Sequence, residues 1–516
     1  MRASPAAAAI LGAAALLVPP PAAHAAAGAT LVQLTPAAAC SAAVDLVRAG
    51  ATVVAPRLAL YRLAPSAGRS LLARLRARGE VRLVEPDRTA GRLARLDFSD
   101  PLVPLEWWRA AVGVDTLTPP PAGRPVTIVD SGLDVSHPEF LGRPNTETLN
   151  AQEPAGIGGE HGTGVASLIA APANGLGLVG IYPEALLRSW DAAKGAGTEL
   201  ATSEIVQGIL AAANAGKGVI NLSLGASTKD VVIEQAVYQA LRAGSLVVAA
   251  SGNDGDRGNP LGYPASIPHV LTVGATDRND GVAPFSSRSR FVDLVAPGVD
   301  IPIATAIGKG FKLGDGTSYA APLVSGAAAW VWTVRPQLDA TQLFEVMRRS
   351  ARDVGDPGRD DAAGFGVLDV QAALAYPAPV PDPLEPNDDV EFVRPGGLYD
   401  TSLPPLTTPT RRSTRVRARL TAAEDPRDLY RVWLPRGGRL TATASADSDV
   451  DLSLWRQGVT SVVGRGAVPY RLARAATAGT SERLTYRNAG PGRFAYLAVT
   501  FPRGVRDATY LLRVQS

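Results

Sequence analysis

Short, continuous apolar runs alternate with stretches of helical periodicity between residues 125 and 374, and this alternation limits the fold more than any other feature of the sequence. A continuous apolar run of strand length indicates a strand buried on both faces, and helices between such strands cover the two faces of a parallel sheet. We therefore predict an α/β domain with a parallel sheet and helices on both faces. The predicted strands are residues 126–129, 218–224, 245–250, 270–273 and 292–296, and the predicted helices include residues 199–215, 231–243 and 318–334.

Two segments with different patterns flank this domain. Residues 29–87 combine short apolar runs with an amphipathic helical pattern at residues 68–78, which predicts a small α+β unit. Beyond the proline-rich stretch PAPVPDPLEP, short apolar runs separated by glycine and proline turns predict a β-sandwich. The predicted boundaries are an N-terminal segment at 26–95, the α/β domain at 96–376, a linker at 377–386 and the β-sandwich at 387–516.

The first 25 residues have the pattern of an export signal. Arg2 precedes an apolar run at residues 6–18, and Ala23-His24-Ala25 fits the small-x-small pattern of a cleavage site. The alternative is a membrane anchor, but an anchor needs about 18 or more apolar residues, and the prolines at 19–21 end the run before that length. We expect cleavage near Ala25 and a secreted, extracellular protein.

Cysteine content and charge exclude several classes of protein. Cys40 is the only cysteine, which excludes an intrachain disulfide and a cysteine-based metal site. Only 5 of the 51 basic residues are lysines, and the arginines are scattered along the chain, which argues against a nucleic-acid patch. Residues 26–95 carry 11 arginines against 4 acidic residues, whereas residues 96–382 carry 19 basic residues against 31 acidic ones. Such blocks are usually solvated surfaces, but they also suit basic flanks that dock on an acidic domain.

Three polar residues lie at the ends of predicted buried elements. Asp130 ends the strand VTIVD, His161 lies where a loop becomes a helix in EHGTGVASLIAA, and Ser318 begins the helix SYAAPLVSG. A serine is a weak nucleophile until a base takes its proton, and a histidine base needs a carboxylate to fix its tautomer. Together these residues predict nucleophilic acyl transfer. We expect the other two histidines beyond the signal, His137 and His269, to be structural.

Asn253 adds a fourth predicted site residue. It follows the apolar run at residues 245–250 in the segment ASGNDG, and its side chain offers an N–H₂ donor. A side-chain donor of this kind can stabilise a tetrahedral oxyanion together with the backbone N–H of Ser318. Read alone, Asn253 would be an ordinary turn residue and Ser318 a helix cap. Their occurrence together favours a catalytic site.

The chain resembles the subtilisin-like serine proteases, or subtilases. The matching segments are VDSGLDVSHPEF, HGTGVASLIAA, NLSLG, ASGNDG and GTSYAAPLVSGAAA, which occur in the Asp–His–Ser order of the family and span about 250 residues. The resemblance implies that Asp130 orients His161, that His161 is the general base and then the acid, and that Ser318 is the nucleophile. It also implies an oxyanion hole formed by Asn253 and the backbone of Ser318.

The same resemblance implies binding sites. Ser223, Leu224 and Gly225 would pair with the substrate backbone, and Gly262 would lie at the base of the P1 pocket, where the absence of an evident acidic residue favours large apolar side chains. A second set of residues resembles a calcium site of the family, although catalysis would need no cofactor. That set is Glu139 together with Asn174, Leu176 and Leu178 of the loop NGLGL.

The two flanks also have family counterparts. Residues 26–95 resemble the inhibitory propeptide of subtilases, which would make the protein a self-processed zymogen inhibited by its own N-terminal segment. The segments DPLEPNDD, DLYRVWLPRGG and DVDLSLW resemble the prepeptidase C-terminal domain of secreted bacterial peptidases. The arginine-rich stretch RRSTRVRARL within this tail is interpreted as a solvated strand edge, with binding of an anionic polymer as the alternative.

The sequence thus predicts a secreted serine endopeptidase that acts on protein or peptide substrates, without nucleic acid and without a membrane span. Two alternatives stay open. One is a dedicated processing protease with one physiological substrate. The other is a non-catalytic surface-binding protein that uses a protease scaffold to present peptides.

Overall fold

The computed structural model describes residues 30–38, 41–55, 58–64, 69–86, 99–152, 159–193, 199–400, 402–422, 424–502 and 504–516. The predicted signal peptide at 1–25 and the predicted boundary between residues 95 and 96 lie outside the described residues. Two compact units make up the chain, Met1–Ala94 and Arg95–Ser516.

The first unit is an antiparallel sheet with two helices. Its strands run in the order β2-β3-β1-β4, and side chains such as Val32, Leu46 and Leu75 form its buried core. The predicted helix at 68–78 is present, whereas the first helix was not predicted. The elements are β1 (Thr30–Leu34), α1 (Ser41–Arg48), β2 (Thr52–Ala55), β3 (Leu60–Leu63), α2 (Arg69–Ala77) and β4 (Val81–Pro86).

Seven parallel strands form the central sheet of the second unit, in the order β11-β10-β9-β8-β5-β7-β6. The five predicted strands are present and lie next to one another. The two strands at the other end were not predicted, because they are short and more polar. The strands are β5 (Val126–Asp130), β6 (Thr146–Thr148), β7 (Leu187–Asp191), β8 (Val219–Leu222), β9 (Leu246–Ala250), β10 (Leu271–Thr276) and β11 (Val292–Pro297).

Helices cover both faces of this sheet, which confirms the predicted α/β class. The helices of the second unit, in chain order, are α3 (Trp108–Ala111), α4 (Gly159–Ala170), α5 (Thr202–Asn214), α6 (Val231–Arg242), α7 (Thr317–Val334), α8 (Ala340–Arg349) and α9 (Val370–Ala375), and a hairpin of β12 (Ile301–Thr305) and β13 (Gly310–Gly314) precedes α7. Helices α4 and α7 pack on one face, and α5 and α6 pack on the other.

The alternation of side chains along β5 determines which helices Asp130 faces. Val126 and Ile128 belong to the core formed with α4 and α7, whereas Val129 belongs to the core formed with α5 and α6. Since successive side chains of a strand point to opposite faces, Asp130 shares the face of Val126 and Ile128. It therefore points to the side on which α4 and α7 begin.

Helix α7 is the longest helix among the described residues of the second unit, and most of its side chains are buried. It is apolar on every side because the sheet, α4 and α9 surround it. Pro322 lies in its second turn. No helix in the described part of the chain has the length and apolar character that crossing a bilayer requires.

The C-terminal region contains two four-stranded antiparallel sheets that share one core, as predicted for a β-sandwich. One sheet has the order β14-β21-β16-β19 and the other β15-β20-β17-β18. The arginine-rich stretch forms most of the edge strand β14, where Arg415 and Arg417 are exposed. The elements are α10 (Val390–Val393), β14 (Ser413–Thr421), β15 (Arg427–Leu434), β16 (Arg439–Ala446), β17 (Asp451–Arg456), β18 (Arg471–Ala475), β19 (Ser481–Arg487), β20 (Arg493–Thr500) and β21 (Asp507–Gln515).

The sandwich packs directly on the α/β part, because aromatic residues that lead into it contact helix α6. Tyr238 of α6 contacts Phe392 and Tyr399, with ring centroids 4.8 and 5.1 Å apart, and the two latter rings stack at 5.2 Å. These side chains belong to a core cluster that also includes residues of β15 and β20. Within the predicted linker at 377–386, Asp382 and Pro386 are buried and Leu384 packs on the same cluster.

Candidate functional site

Asp130 and His161 form a hydrogen-bonded pair at the carboxyl end of β5. The Asp130 carboxylate is buried, and its Oδ1 accepts hydrogen bonds from His161 Nδ1 at 2.8 Å and from the backbone N–H of Ser131 at 2.7 Å. The His161 side chain is 37% exposed. Because Nδ1 donates to the carboxylate, the other ring nitrogen, Nε2, is left free to accept a proton.

The start of α4 packs closely on the loop after β5, which brings His161 to Asp130. The backbone N–H of Gly162 donates to Ser131 Oγ at 3.1 Å. A Cβ atom on Gly162 would lie 2.1 Å from the carbonyl oxygen of Gly132, so that only glycine permits this approach. The position of His161 thus depends on the glycine that follows it.

Ser318 is the second residue of α7, and its backbone N–H has no acceptor within the helix. Its Oγ donates to the carbonyl oxygen of Ser223 at 3.2 Å, and Ser223 Oγ donates in turn to the carbonyl oxygen of Ser318 at 2.9 Å. Catalytic hydrogen bonds are often made only when substrate is bound. A rotation of the Ser318 side chain releases Oγ from the Ser223 carbonyl.

Asn253 is fixed by Thr317, the residue before Ser318. Its Oδ1 accepts from the backbone N–H and from the hydroxyl of Thr317, both at 2.9 Å. This assigns the amide orientation, because a backbone N–H can only donate. The Nδ2 donor is therefore left for another acceptor.

A small space above Gly316 is bordered by two N–H donors. A Cβ atom built on Gly316 would lie 3.4 Å from Asn253 Nδ2 and 3.7 Å from the backbone nitrogen of Ser318. Gly316 has φ 151°, a conformation that favours glycine. The absence of a side chain at this position keeps the space open for an oxygen atom that accepts from both donors.

The charge of Asp130 decides the protonation of His161. Burial lowers the pKa of His161, but the Asp130 charge and hydrogen bond together raise it by more, so that the pKa lies above its ordinary value of 6.5. Tyr319 contacts the His161 ring, with centroids 5.8 Å apart. Burial raises the pKa of Tyr319 to about 12, so the phenol adds no charge beside the histidine.

A cleft of about 970 Å³ opens next to this group of residues. Its volume suits a ligand of peptide size. Asp130, His161, Ser223, Leu224 and Gly225 all line this cleft, and Tyr263 and Ile267 line it as well. Among the predicted pocket residues, Gly262 lies just before Tyr263 and packs on the backbone of Ser251, where a Cβ atom would be 2.8 Å from the carbonyl oxygen.

The predicted calcium ligands lie together in another part of the second unit. Glu139 Oε1 accepts from the backbone N–H of Leu178 at 2.7 Å, and Asn174 Oδ1 accepts from that of Leu176 at 2.8 Å. Asp100, which the sequence analysis missed, accepts from the backbone N–H groups of Asn174 and Gly175, both at 3.0 Å. Burial raises the pKa of Glu139 to about 7, and the charge of Asp100 contributes to the rise.

The two histidines interpreted as structural lie away from the Asp130–His161 pair. His137 is fully buried, and its Nε2 contacts the carbonyl oxygen of Gly310 at 3.1 Å. His269 precedes β10 and contacts Asp388 at 3.0 Å and Glu385 at 3.3 Å. The contacts of Thr317 with Asn253 were not predicted, because a threonine at a helix start has no distinctive sequence signal.

The region offers two N–H donors beside the space above Gly316, the hydroxyl of Ser318, and an imidazole that is paired with a carboxylate and contacts Tyr319, the residue after Ser318. These groups can supply a nucleophile, a proton acceptor and stabilisation of a developing oxyanion. Such chemistry needs no metal or organic cofactor at the reacting atoms.

Comparison with known proteins gives consistent matches over this part of the chain. The sequence profile of the Subtilase family matches residues 122–366. Subtilisin BL from Lederbergia lenta is 36% identical over 252 residues, which are 49% of this chain and 91% of that protein. Alkaline elastase YaB from Bacillus sp. (strain YaB) is 37% identical over 250 residues, which are 48% of this chain and 64% of that protein. The crystal structure of fervidolysin from Fervidobacterium pennivorans, a keratinolytic enzyme related to subtilisin, covers 89% of this chain and 68% of that chain at 22% identity and a TM-score of 0.49.

Proposed function

Because this chain belongs to the subtilase family and is a serine endopeptidase, we propose that Asp130, His161 and Ser318 are its catalytic triad. The observation that carries the assignment is the 2.8 Å hydrogen bond between Asp130 and His161 at the edge of the cleft, next to the start of the helix that holds Ser318. Ser223, Leu224 and Gly225 line that cleft and would pair with the substrate backbone.

In the proposed reaction His161 Nε2 takes the proton of Ser318 Oγ as this oxygen attacks the carbonyl carbon of the scissile peptide bond. The carbonyl oxygen becomes an oxyanion in the space above Gly316, where Asn253 Nδ2 and the Ser318 N–H donate to it. The carbon–nitrogen bond then breaks, and the leaving amine takes the proton from His161. Water then attacks the carbonyl carbon of the Ser318 ester while His161 Nε2 takes a proton from the water. The bond between this carbon and Ser318 Oγ breaks, and His161 returns the proton to Oγ.

Labelling with a fluorophosphonate tests this assignment, because such a reagent phosphonylates a serine that a neighbouring base activates. We expect one adduct per active chain, located at Ser318 by peptide mapping, and no adduct in the Ser318→Ala variant. A folded protein that takes up no label, or that takes it up at another serine, would show that the triad is wrongly assigned or inactive.

The pH dependence of activity should report His161. The base must be neutral, and Asp130 holds its pKa above 6.5, so kcat/KM should fall through one ionisation centred above pH 6.5 as the pH decreases. In Asp130→Asn the loss of the charge should move this ionisation to lower pH, in addition to a loss in kcat on the order of 10⁴-fold. A kcat/KM profile that stays flat down to about pH 4 would contradict a histidine base.

We further propose that the protein is a secreted zymogen with a signal peptide at 1–25, an inhibitory segment at 26–95, a catalytic domain at 96–376, a linker at 377–386 and a β-sandwich at 387–516. The folded N-terminal unit supports this proposal, because an inhibitor that blocks a cleft has to be structured. The opposite charges of residues 26–95 and 96–382 favour their association.

A structural calcium ion is proposed at the loop that contains Asn174. The residues fit, because Glu139 Oε2 is buried and has no hydrogen-bond partner in the described part of the chain, and carboxylate, amide and backbone oxygens are the ligands that calcium prefers. Glu139, Asp100, Asn174 and the carbonyl groups of Leu176 and Leu178 would hold the ion, which would rigidify the loop.

Replacing Glu139 with glutamine should therefore remove one bound calcium ion per chain, counted by elemental mass spectrometry after gel filtration. The melting temperature in calcium buffer should fall as well, because the loop loses its ion. Glu147→Gln is the control, since Glu147 is an exposed residue that pairs with Arg188. An unchanged calcium count in Glu139→Gln would contradict the proposed site.

A further inference from the structure

Four buried carboxylates lie where the α/β part meets the β-sandwich. Asp382 and Glu385 belong to the stretch at 377–386. Asp425 lies just before β15, and Asp428 is the second residue of β15. One carboxylate oxygen of each residue lies within 4.8 Å of the corresponding oxygens of the other three. The group is distant in sequence from the residues proposed for catalysis and from Glu139.

Several oxygens of this group are buried without a hydrogen bond. Within the described residues, Asp382 Oδ1, Asp425 Oδ1 and Asp428 Oδ1 have no partner. These three residues are 5%, 6% and 0% exposed, so bulk solvent does not reach them. A buried polar atom without a partner costs free energy, and a buried charge costs more. Three members of the group therefore each carry a buried oxygen without a partner, which favours a ligand shared by the group.

The surrounding basic residues do not neutralise the group. Arg348 pairs with Asp293 and Glu345, and Arg419 pairs with Glu345 through its side chain while its backbone N–H donates to Asp382 Oδ2 at 2.7 Å. His269 contacts Glu385 at 3.3 Å, but it also contacts a further carboxylate, that of Asp388. His269, shared between two acids, and Arg242, whose charge acts on Glu385, supply at most two positive charges against the four carboxylates.

The pKa values of the four carboxyl groups agree with this excess of acidic over basic side chains. Burial raises the pKa of Asp428 to about 6 and raises the pKa values of Asp382, Glu385 and Asp425 well above their usual range, and the neighbouring carboxylates add to the rise. A divalent cation bound by these oxygens would favour the charged form of the four carboxylates.

We propose that Asp382, Glu385, Asp425 and Asp428 bind one calcium ion that joins the stretch at 377–386 to the β-sandwich. The ligands are all carboxylate oxygens, which favours a hard cation, and calcium is bound by carboxylates through one or both of their oxygens. Tyr510 donates a hydrogen bond to Asp428 and lies 2.7 Å from the Tyr430 hydroxyl, which orients that ligand from inside the sandwich.

The ion would also bind the sandwich to the α/β part. His269 belongs to the α/β part, and its ring contacts Glu385 and Asp388 of the segment that carries two of the ligands. A calcium ion on Glu385 fixes this segment between His269 on one side and β15 on the other. Loss of the ion should therefore loosen the packing between the two parts.

The count of bound ions tests the proposal in the full-length Ser318→Ala protein, which cannot digest itself if the triad is correctly assigned. We expect Asp382→Asn and Asp425→Asn each to bind one calcium ion fewer than the parent, measured by elemental mass spectrometry after gel filtration. Glu139→Gln should lose only the ion of the Asn174 loop. The double variant Glu139→Gln, Asp425→Asn should therefore bind two calcium ions fewer than the parent. Asp449→Asn is the matched control, because Asp449 also has a buried oxygen without a partner in the sandwich but lies outside the group.

Thermal unfolding distinguishes an ion site from a merely structural acid. In calcium the parent should melt at a higher temperature than Asp425→Asn. In chelator the order should reverse, because the variant lacks one of four mutually repelling carboxylates. A lower melting temperature of Asp425→Asn under both conditions, together with an unchanged calcium count, would overturn the proposal.

Terbium luminescence keeps the proposal testable if the variants fail to fold. Terbium occupies calcium sites, and excited tyrosines sensitise its emission at short distance. Excitation of Tyr430 and Tyr510 should therefore produce emission from a terbium ion bound by Asp428. In the Glu139→Gln background we expect tyrosine-excited emission that calcium displaces and that Tyr510→Phe weakens. A folded protein without calcium-displaceable emission would overturn the proposal.

Discussion

Replacing Ser318 with alanine is expected to lower kcat on a peptide substrate by about 10⁶-fold, the size of the loss that removal of the nucleophile causes in subtilisin itself. The change removes the only atom that forms the acyl-enzyme in the proposed reaction. It should leave the fold intact, because within the described residues Ser318 Oγ makes a single hydrogen bond, at 3.2 Å to the Ser223 carbonyl. Steady-state kinetics and melting temperature of both proteins provide the measurement.

The same variant should accumulate as the uncut pro-form if the zymogen processes itself. Wild type made in a protease-deficient host should lose residues 26–95 after signal removal, whereas Ser318→Ala should keep them, and intact mass resolves the two forms. Ser203→Ala is the matched control, since Ser203 is an exposed serine on α5. Maturation of Ser318→Ala to the wild-type mass would show that another enzyme makes the cut.

Replacing Asn253 with alanine is expected to lower kcat by about 10²–10³-fold with little change in KM, a magnitude that also comes from subtilisin. The Nδ2 donor acts on the oxyanion, which exists in the transition state and not in the bound substrate. Asn279→Ala, in an exposed turn, is the control. A loss of less than about threefold would remove Asn253 from the mechanism.

Gly316→Ala probes the same space from its other side. The added methyl group would lie between Asn253 Nδ2 and the Ser318 nitrogen, at 3.4 and 3.7 Å from them, where the oxyanion has to fit. We expect a loss of kcat at least as large as that of Asn253→Ala, although both donors remain. Combination of the two changes should then cost less than the product of the separate losses, because either change alone already removes the oxyanion site.

The sequence by itself determined the α/β architecture and the place of each predicted catalytic residue within it. Buried strands and amphipathic or apolar helices have local periodicities, so the five apolar runs and the helix at 318–334 could be recognised without tertiary information. Asp130 at a strand end and Ser318 at a helix start followed from the same boundaries. The elements β6, β7 and α1 are only three, five and eight residues long, and such short segments give a weak local signal, so they were not predicted.

Only the tertiary structure decided which side chains meet across long separations in sequence. The contacts of Asn253 with Thr317, of Asp100 with the Asn174 loop, and of His269 with Glu385 each join segments that are far apart in the chain. A local sequence pattern predicts whether a residue is buried, but the neighbours of a buried residue depend on how whole helices and strands pack. For this reason the stretch at 377–386 was interpreted as a linker from its prolines, although its acidic side chains are buried against the sandwich and the α/β part.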